Sequence, residues 1–404
     1  MDHPLPVSLT DDTFRCLRLY LPPTSPVGSI GRLANQFYYV SSEATAKDLV
    51  EDLKHLGDVW AIGVVNRKGE GLGIITVSQF QAKMSLPFAY DVLGRQKVLG
   101  LMEPAKSFSW DRHILSIAEK LEQEAEQPKN RYYLLKNSAG SFAGIFSSKD
   151  LLISSFKVYR QDLKIAVAIQ NELVPEVSFF EKPGLQIHAF CKMAKGVGGD
   201  FYAYREYAPG HWAALLCDVS GKGAAASSVT TALGGMFSLY NFEQGMKNFV
   251  QAVNEFVLHT FRQERYLTGI FFTFSEQDRK LTLYDMGHRN FRLLRGDRSY
   301  ELSSENPFLG FVPQLEPQPR LGVLHPGDTI ALFSDGFAEQ HDGKGREFGL
   351  ERLEKVLIAG QKEDLPNVVA NLRSTVKSFR GEQPRGDDQC LLLLRLTTRE
   401  EVKS

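Results

Sequence analysis

Cysteine is scarce in this chain: its 404 residues hold four, Cys16, Cys191, Cys217 and Cys390, far apart and without a C-x-x-C pair. That excludes a disulfide scaffold and the usual thiolate spacing of a zinc site. Each sits in or beside an apolar stretch, where free cysteine is expected reduced and buried. No run of about 18 apolar residues occurs, which excludes a membrane-spanning helix. Excess charge is missing too: the net charge of −1 gives no footing for nucleic acid or an anionic membrane surface. Met1-Asp2-His3-Pro4 shows no basic region leading into an apolar stretch, so no signal peptide is expected. With reduced thiols, the cytoplasm is the expected compartment. Two catalytic frames are also lacking. Ser220 has Asp218 and Lys222 where a G-x-S-x-G elbow needs glycine, and Gly221-Lys222-Gly223 lacks the rest of a phosphate-binding loop. What is present is an ordinary globular composition, 43% hydrophobic and 24% charged, on a chain long enough for two or three domains.

The chain divides into an N-terminal arm with a Pro-rich stretch (1–28), a regulatory-looking region (29–153), a connecting helix closed by Pro175 (154–181), a larger region of strands and Gly-rich turns (182–397) and a tail (398–404). Within 29–153 a helix–strand–turn–strand–helix pattern occurs twice, about 70 residues apart. The first copy runs from the amphipathic Ala44–Leu56 through Trp60–Val65 to Gly73-Ile74-Ile75-Thr76. The second runs from Ile114–Glu122 through Arg131–Leu135 to Ala143–Leu151. Neither is large enough to be comfortable alone, so the two are expected to pack as a pair.

This duplication resembles the CBS-pair (cystathionine β-synthase type) regulatory module. The resemblance implies an adenine nucleotide held by a Thr or Ser followed three residues later by Asp. Ser147 and Asp150 keep that spacing. Thr76 does so without the acid, because Gln79 stands in its place. A hydroxyl at a helix start can meet phosphate and a carboxylate can accept from ribose hydroxyls. The other reading is that Ser147 and Asp150 cap a helix in a ligand-free dimerisation platform.

In the connecting helix, Leu152, Phe156, Tyr159, Leu163, Ala166, Gln170 and Leu173 are spaced by 4 and 3 in alternation, a heptad seam with one polar position. The seam either pairs with a second copy in a homodimer, with Gln170 fixing register, or packs on its own domain. Ile165, Val167 and Ile169 form a second apolar set for a neighbouring domain.

Four acids mark the C-terminal region. Asp200 follows Gly198-Gly199. Asp218 ends the apolar run Leu215-Leu216-Cys217 before Ser220-Gly221-Lys222-Gly223. Asp335-Gly336 ends the run Ile330–Phe333 and Ser334. Asp387-Asp388 precede Cys390 and four leucines. Singly, each is a turn signal. Jointly, acids at strand ends would repel one another without a hard divalent cation such as Mg²⁺ or Mn²⁺ among them.

These motifs, with Met286-Gly287-His288 and Ser334–Glu339, closely resemble the PPM-type phosphatase superfamily in its SpoIIE/RsbU branch. The run Ala166–Pro175, A-x-x-I-Q-x-x-L-x-P, is similar to the segment preceding such domains. The overall fold class expected is thus α/β and α+β multidomain, ending in a β-sandwich of two antiparallel sheets flanked by helices. The resemblance implies a protein serine/threonine phosphatase acting on a phosphoprotein, as in that branch a STAS-type anti-anti-sigma antagonist, with two Mn²⁺ or Mg²⁺ ions. Carried over by position, Asp218 bridges both metals with the Val219 carbonyl assisting, Asp335 and Asp387 complete one, and Asp200 supports the other. Asp218 and Asp335 are the expected catalytic pair. Asp388 either holds a further metal or makes only a hydrogen bond. His288 is either structural or a general acid. Ala203 and Cys390 depart from the family pattern without removing an implied ligand. A ligand-sensing scaffold of weak activity is the alternative.

Overall fold

A computed structural model describes residues 8–9, 14–22, 24–123, 131–302 and 305–397. The tail 398–404 and most of residues 1–13 lie outside them. The chain forms two compact units, 1–162 and 163–404.

The first unit carries the duplication as two β-α-β-β-α runs. One is Tyr38–Ser41, Ala46–Leu53, Ala61–Val65, Gly71–Thr76 and Val77–Met84. The other is Ser107–Ser109, Ile114–Gln123, Tyr132–Lys136, Phe142–Ser147 and the helix from Ser148. In both, the first two strands pair in parallel across the helix, then a hairpin follows whose pairing shifts at its turn end. The helix at 46–53 starts because Thr45 accepts from the Asp48 N–H at 3.2 Å. It buries Leu49 and Leu53, four apart on one face. The expected arm is corrected in part. Leu17–Tyr20 forms a strand that pairs with Tyr38–Ser41, with Leu17 and Tyr20 buried. The Asp52 carboxylate accepts from the backbone N–H groups of Arg15, Cys16 and Leu17. Cys16 is only half-buried and its thiol donates to Asp52 as well.

The helix Ser148–Leu173 begins six residues before the expected connector. It ends ahead of Pro175, which cannot continue it, and the boundary between the units falls within it. Residues 177–181, assigned to the connector, belong instead to an edge strand, Val177–Lys182, paired with Leu185–Lys192.

The second unit is the expected sandwich. One sheet orders its strands Val177–Lys182, Leu185–Lys192, Gln389–Leu396, Thr329–Phe333, Phe291–Arg295 and Arg298–Glu301. The other orders Asp200–Ala208, His211–Val219, Leu267–Ser275, Lys280–Met286 and Arg320–Val323; every pairing is antiparallel. The leucine run shows why. Leu392 and Leu394 point into the core between the sheets, while Leu391 and Leu393 point under the helices Leu350–Ala359 and Leu365–Arg380. A strand covered on both faces has no polar alternation. The helices Ala224–Leu239 and Met246–Phe261 pack on the second sheet.

Candidate functional site

The acids meet at one end of this sandwich because each lies where a strand of one of its sheets begins or ends. Asp200 begins its strand and Asp218 ends the neighbouring one, and the two are directly opposed in register. Phe333 pairs with Leu391, so Asp335 and Asp387-Asp388 leave the other sheet at one edge.

Burial and crowding raise the carboxyl groups of Asp200, Asp218, Asp335 and Asp388. Asp200 is almost fully buried; burial, then the Asp218 charge, pushes it well above the usual carboxylate range. Burial, then Asp335, Asp387 and Asp388, brings Asp218 up to about 7. Asp335 is raised by burial and then by Asp387. Oxygens of Asp335, Glu339 and Asp387 lie within 4.8 Å of one another, and the buried Oδ2 of Asp200 has no hydrogen-bond partner. An all-oxygen set of mutually repelling acids with one orphaned oxygen fits a hard divalent cation. Lys222 meets part of that need: its Nζ lies 2.7 Å from Asp387 Oδ2 and donates to the Gly386 carbonyl at 3.2 Å.

Asp388, expected among the metal ligands or as a hydrogen-bonding group, accepts from the Ala194 N–H on one oxygen (2.7 Å) and the Gly199 N–H on the other (2.9 Å). It ties the Gly198-Gly199 turn to the opposite sheet. A Cβ at Gly198 would overlap Asp388 Oδ2, and one at Gly336 would overlap the Asp388 carbonyl oxygen. Glycine beside the acids is therefore a packing requirement.

His288 takes the structural role. Its Nε2 donates to the Phe333 carbonyl at 3.0 Å, which leaves Nδ1 to accept from the Thr268 hydroxyl at 3.0 Å. Burial lowers its pKa to about 4, so the ring is neutral at pH 7.

Gln170 follows the second of the two readings of the seam and packs on its own unit. It is 2% exposed, lies in the second unit, and grips Gly198 from both sides. Its Nε2 donates to the Gly198 carbonyl (2.9 Å) and its Oε1 accepts from the Gly198 N–H (3.1 Å); Nε2 also reaches Thr230 Oγ1 at 3.1 Å. The side chain is not in an open seam, and Ile165 and Ile169 are exposed. Cys191 and Cys390, remote in sequence, sit opposite each other on adjacent strands with their sulfurs within 4.8 Å of an Asp200 oxygen.

Three participants were missed. Glu339 is one helical turn beyond Asp335, its N–H donating to the Asp335 carbonyl, a spacing visible in the sequence. Lys222 read as a turn residue, and Gln170 as a seam residue. In the first unit, Ser147 and Asp150 engage each other. The Ser147 hydroxyl donates to Asp150 Oδ2 at 2.6 Å and accepts from the Asp150 N–H at 3.1 Å, a reciprocal helix cap. Thr76 precedes the helix Val77–Met84 without a side-chain cap bond.

No curated protein matches this chain. Residues 208–397 match the model of the family described as Stage II sporulation protein E (SpoIIE). Among solved structures, the chain is similar to the SiaA-PP2C domain of Pseudomonas aeruginosa, with 20% identity, a TM-score of 0.52, and 60% of this chain and 98% of that one covered. It is also similar to the PP2C phosphatase domain and regulatory fragment of SpoIIE from Bacillus subtilis, with 19% identity, a TM-score of 0.46, and 55% and 64% covered. The acidic strand ends, the paired antiparallel sheets and the matched family model agree: the second unit carries a SpoIIE-type phosphatase domain, a PPM-class serine/threonine phosphatase.

Proposed function

We propose that Asp200, Asp218, Asp335 and Asp387, with the Val219 carbonyl, hold two Mg²⁺ or Mn²⁺ ions, and that the chain uses them to dephosphorylate a phosphoserine or phosphothreonine protein. When bound, such ions supply Lewis acidity and an acidified water for in-line attack at phosphorus. The chain's own residues prepare that site. Asp388 holds the Gly198-Gly199 turn against the opposite sheet. Lys222 offsets the charge of Asp387 at the rim, while neutral His288 fixes two strands behind the acids. The observation that carries this reading is the cluster of mutually repelling acids, with Asp200 and Asp218 raised and one Asp200 oxygen orphaned. It favours an enzyme over a ligand-sensing scaffold, which has no use for those acids.

The substrate class we infer is a STAS-type antagonist, on the strength of the branch resembled. For regulation, we read the first unit as a CBS pair acting in the cytoplasm as part of a homodimer. Exposed Leu152, Phe156 and Tyr159, spaced by 4 and 3 on one helix face, support a paired helix. The Gln170 grip on Gly198 supports passage of a signal from that helix to the acids. An adenine nucleotide at Ser147, Asp150 and Thr76 would have to part the Ser147–Asp150 cap, and calorimetry with AMP, ADP and ATP tests it. For the catalytic reading, Mn²⁺ should support hydrolysis of p-nitrophenyl phosphate and Asp218→Asn should lower the rate at least about a hundredfold, the loss of a charged metal ligand costing several kcal/mol. Equal rates in EDTA would overturn the two-metal reading.

A further inference from the structure

An aromatic cluster stands in the open beside the acids. Tyr266, Phe308 and Phe311 are 42%, 40% and 51% exposed, yet touch one another, with ring centroids 5.2 Å apart for Tyr266–Phe308 and 5.9 Å for Phe308–Phe311. Large apolar rings gathered on a surface mark a contact site more often than isolated ones do. The backbone fixes their place. The Tyr266 N–H donates to the Ser220 hydroxyl and the Tyr266 carbonyl accepts from the Ser220 N–H, both at 2.9 Å. Ser220 is two residues from Asp218. Leu309, between the two phenylalanines, exchanges both backbone hydrogen bonds with Leu267, and Leu267 is opposite Val219. Arg265 fills the corner, its Nη1 donating to the Ser220 carbonyl at 2.7 Å. A side chain at Gly287 would run into the Phe308 ring at 2.8 Å, so the glycine there leaves room for it.

From these contacts we propose that Tyr266, Phe308 and Phe311 form the docking surface for the protein substrate, taking an apolar side chain close in sequence to the phosphorylated residue. The proposal rests on the phosphatase reading and adds the recognition element. Its scale follows from the sheet. Neighbouring strands lie about 4.8 Å apart, so the step from Asp218 across Leu267 to Leu309 spans about 10 Å. An extended chain covers that in about three residues. A polypeptide with its phosphate at the acids therefore lays the side chain about three positions away on the rings. Aromatic anchors of this kind carry most of the energy of small interfaces.

The test uses two synthetic phosphoserine peptides, one with leucine three residues to either side and one with serine there, and the full-length chain with Mn²⁺. The wild type should show a KM about tenfold or more lower for the leucine peptide. Phe308→Ser/Phe311→Ser should lose that preference while its kcat and KM for the serine peptide stay unchanged, which also reports intact folding. A variant that keeps the preference, a wild type without one, or a variant altered only in self-association overturns the proposal. Hydrolysis of neither peptide by the wild type overturns the catalytic reading and this proposal with it.

Discussion

Asp218 sets the pH behaviour of the site. Its carboxyl keeps a proton up to about pH 7 in the folded, metal-free chain, whereas in the unfolded chain it ionises near the usual value of about 4. Between those values the unfolded state binds fewer protons, so this group's contribution to stability falls as pH rises through that window. Asp200 and Asp335 act in the same direction. His288, held neutral down to about pH 4, acts in the opposite one below its usual value of about 6.5. Metal affinity separates them, because the His288 ring is engaged by Thr268 and Phe333 while a cation at the acids must displace the Asp218 proton. Apparent Mn²⁺ affinity should therefore climb with pH below 7 by at least about tenfold per unit, because Asp218 and the raised Asp200 both give up protons to the cation, and the part of that rise due to Asp218 should level off above 7. Calorimetric titration between pH 5.5 and 8.5 checks this. A flat profile would mean that Asp218 is already ionised or takes no part. Asp218→Asn should leave a weaker affinity without the step.

At the scale of elements, the C-terminal end of the long helix and the Gly198 turn form one device. Gln170→Ala leaves both backbone groups of Gly198 without their partner in a buried site, at a cost of about 1–3 kcal/mol. The turn it frees also carries Asp200 and the Gly199 N–H that holds Asp388. The expected result is a higher Mn²⁺ concentration for half-maximal hydrolysis of p-nitrophenyl phosphate, with the rate at saturating Mn²⁺ near the wild type. An unchanged Mn²⁺ requirement would count against the coupling. The sequence announced the acids but not this device. Asp218 and Asp335 each end an apolar strand ahead of glycine, a local signal, and the repeated helix–strand–turn–strand–helix pattern was visible in the same way. Gln170 sits at a heptad position, but a 3.5-residue period says only that a face is apolar, not which surface covers it. Lys222 meets Asp387, and Cys191 faces Cys390, across 165 and 199 residues of chain. Such pairs depend on strand order and register, which no local spacing encodes. The strand Leu17–Tyr20 was too short, four residues beside a Pro-rich run, to stand out from an arm.

For the whole molecule, the two units should respond to metal separately. Each has its own buried cores: Tyr20 to Leu151 and Leu17 to Val98 in the first unit, Val174 to Leu396 and Phe190 to Leu393 in the second. Every acid proposed to bind metal belongs to the second unit, which is held together by sheets whose strands run to both sides of the acids. A cation that binds only the folded second unit stabilises it by about 2.7 kcal/mol at a hundred times its Kd. For a domain of 150–250 residues, each kcal/mol moves the midpoint by about 2–4 °C, so one such ion should raise it by roughly 5–10 °C. Scanning calorimetry of the full chain should resolve two transitions, with Mn²⁺ moving one upward and leaving the other in place. The same scan on Asp218→Asn should show that shift reduced while both transitions persist, which distinguishes loss of metal from loss of fold. If Mn²⁺ moved both transitions together, the two units would be unfolding as one. A helix continuous from Ser148 to Leu173 would then carry folding energy, as well as any signal, across the boundary at 162–163.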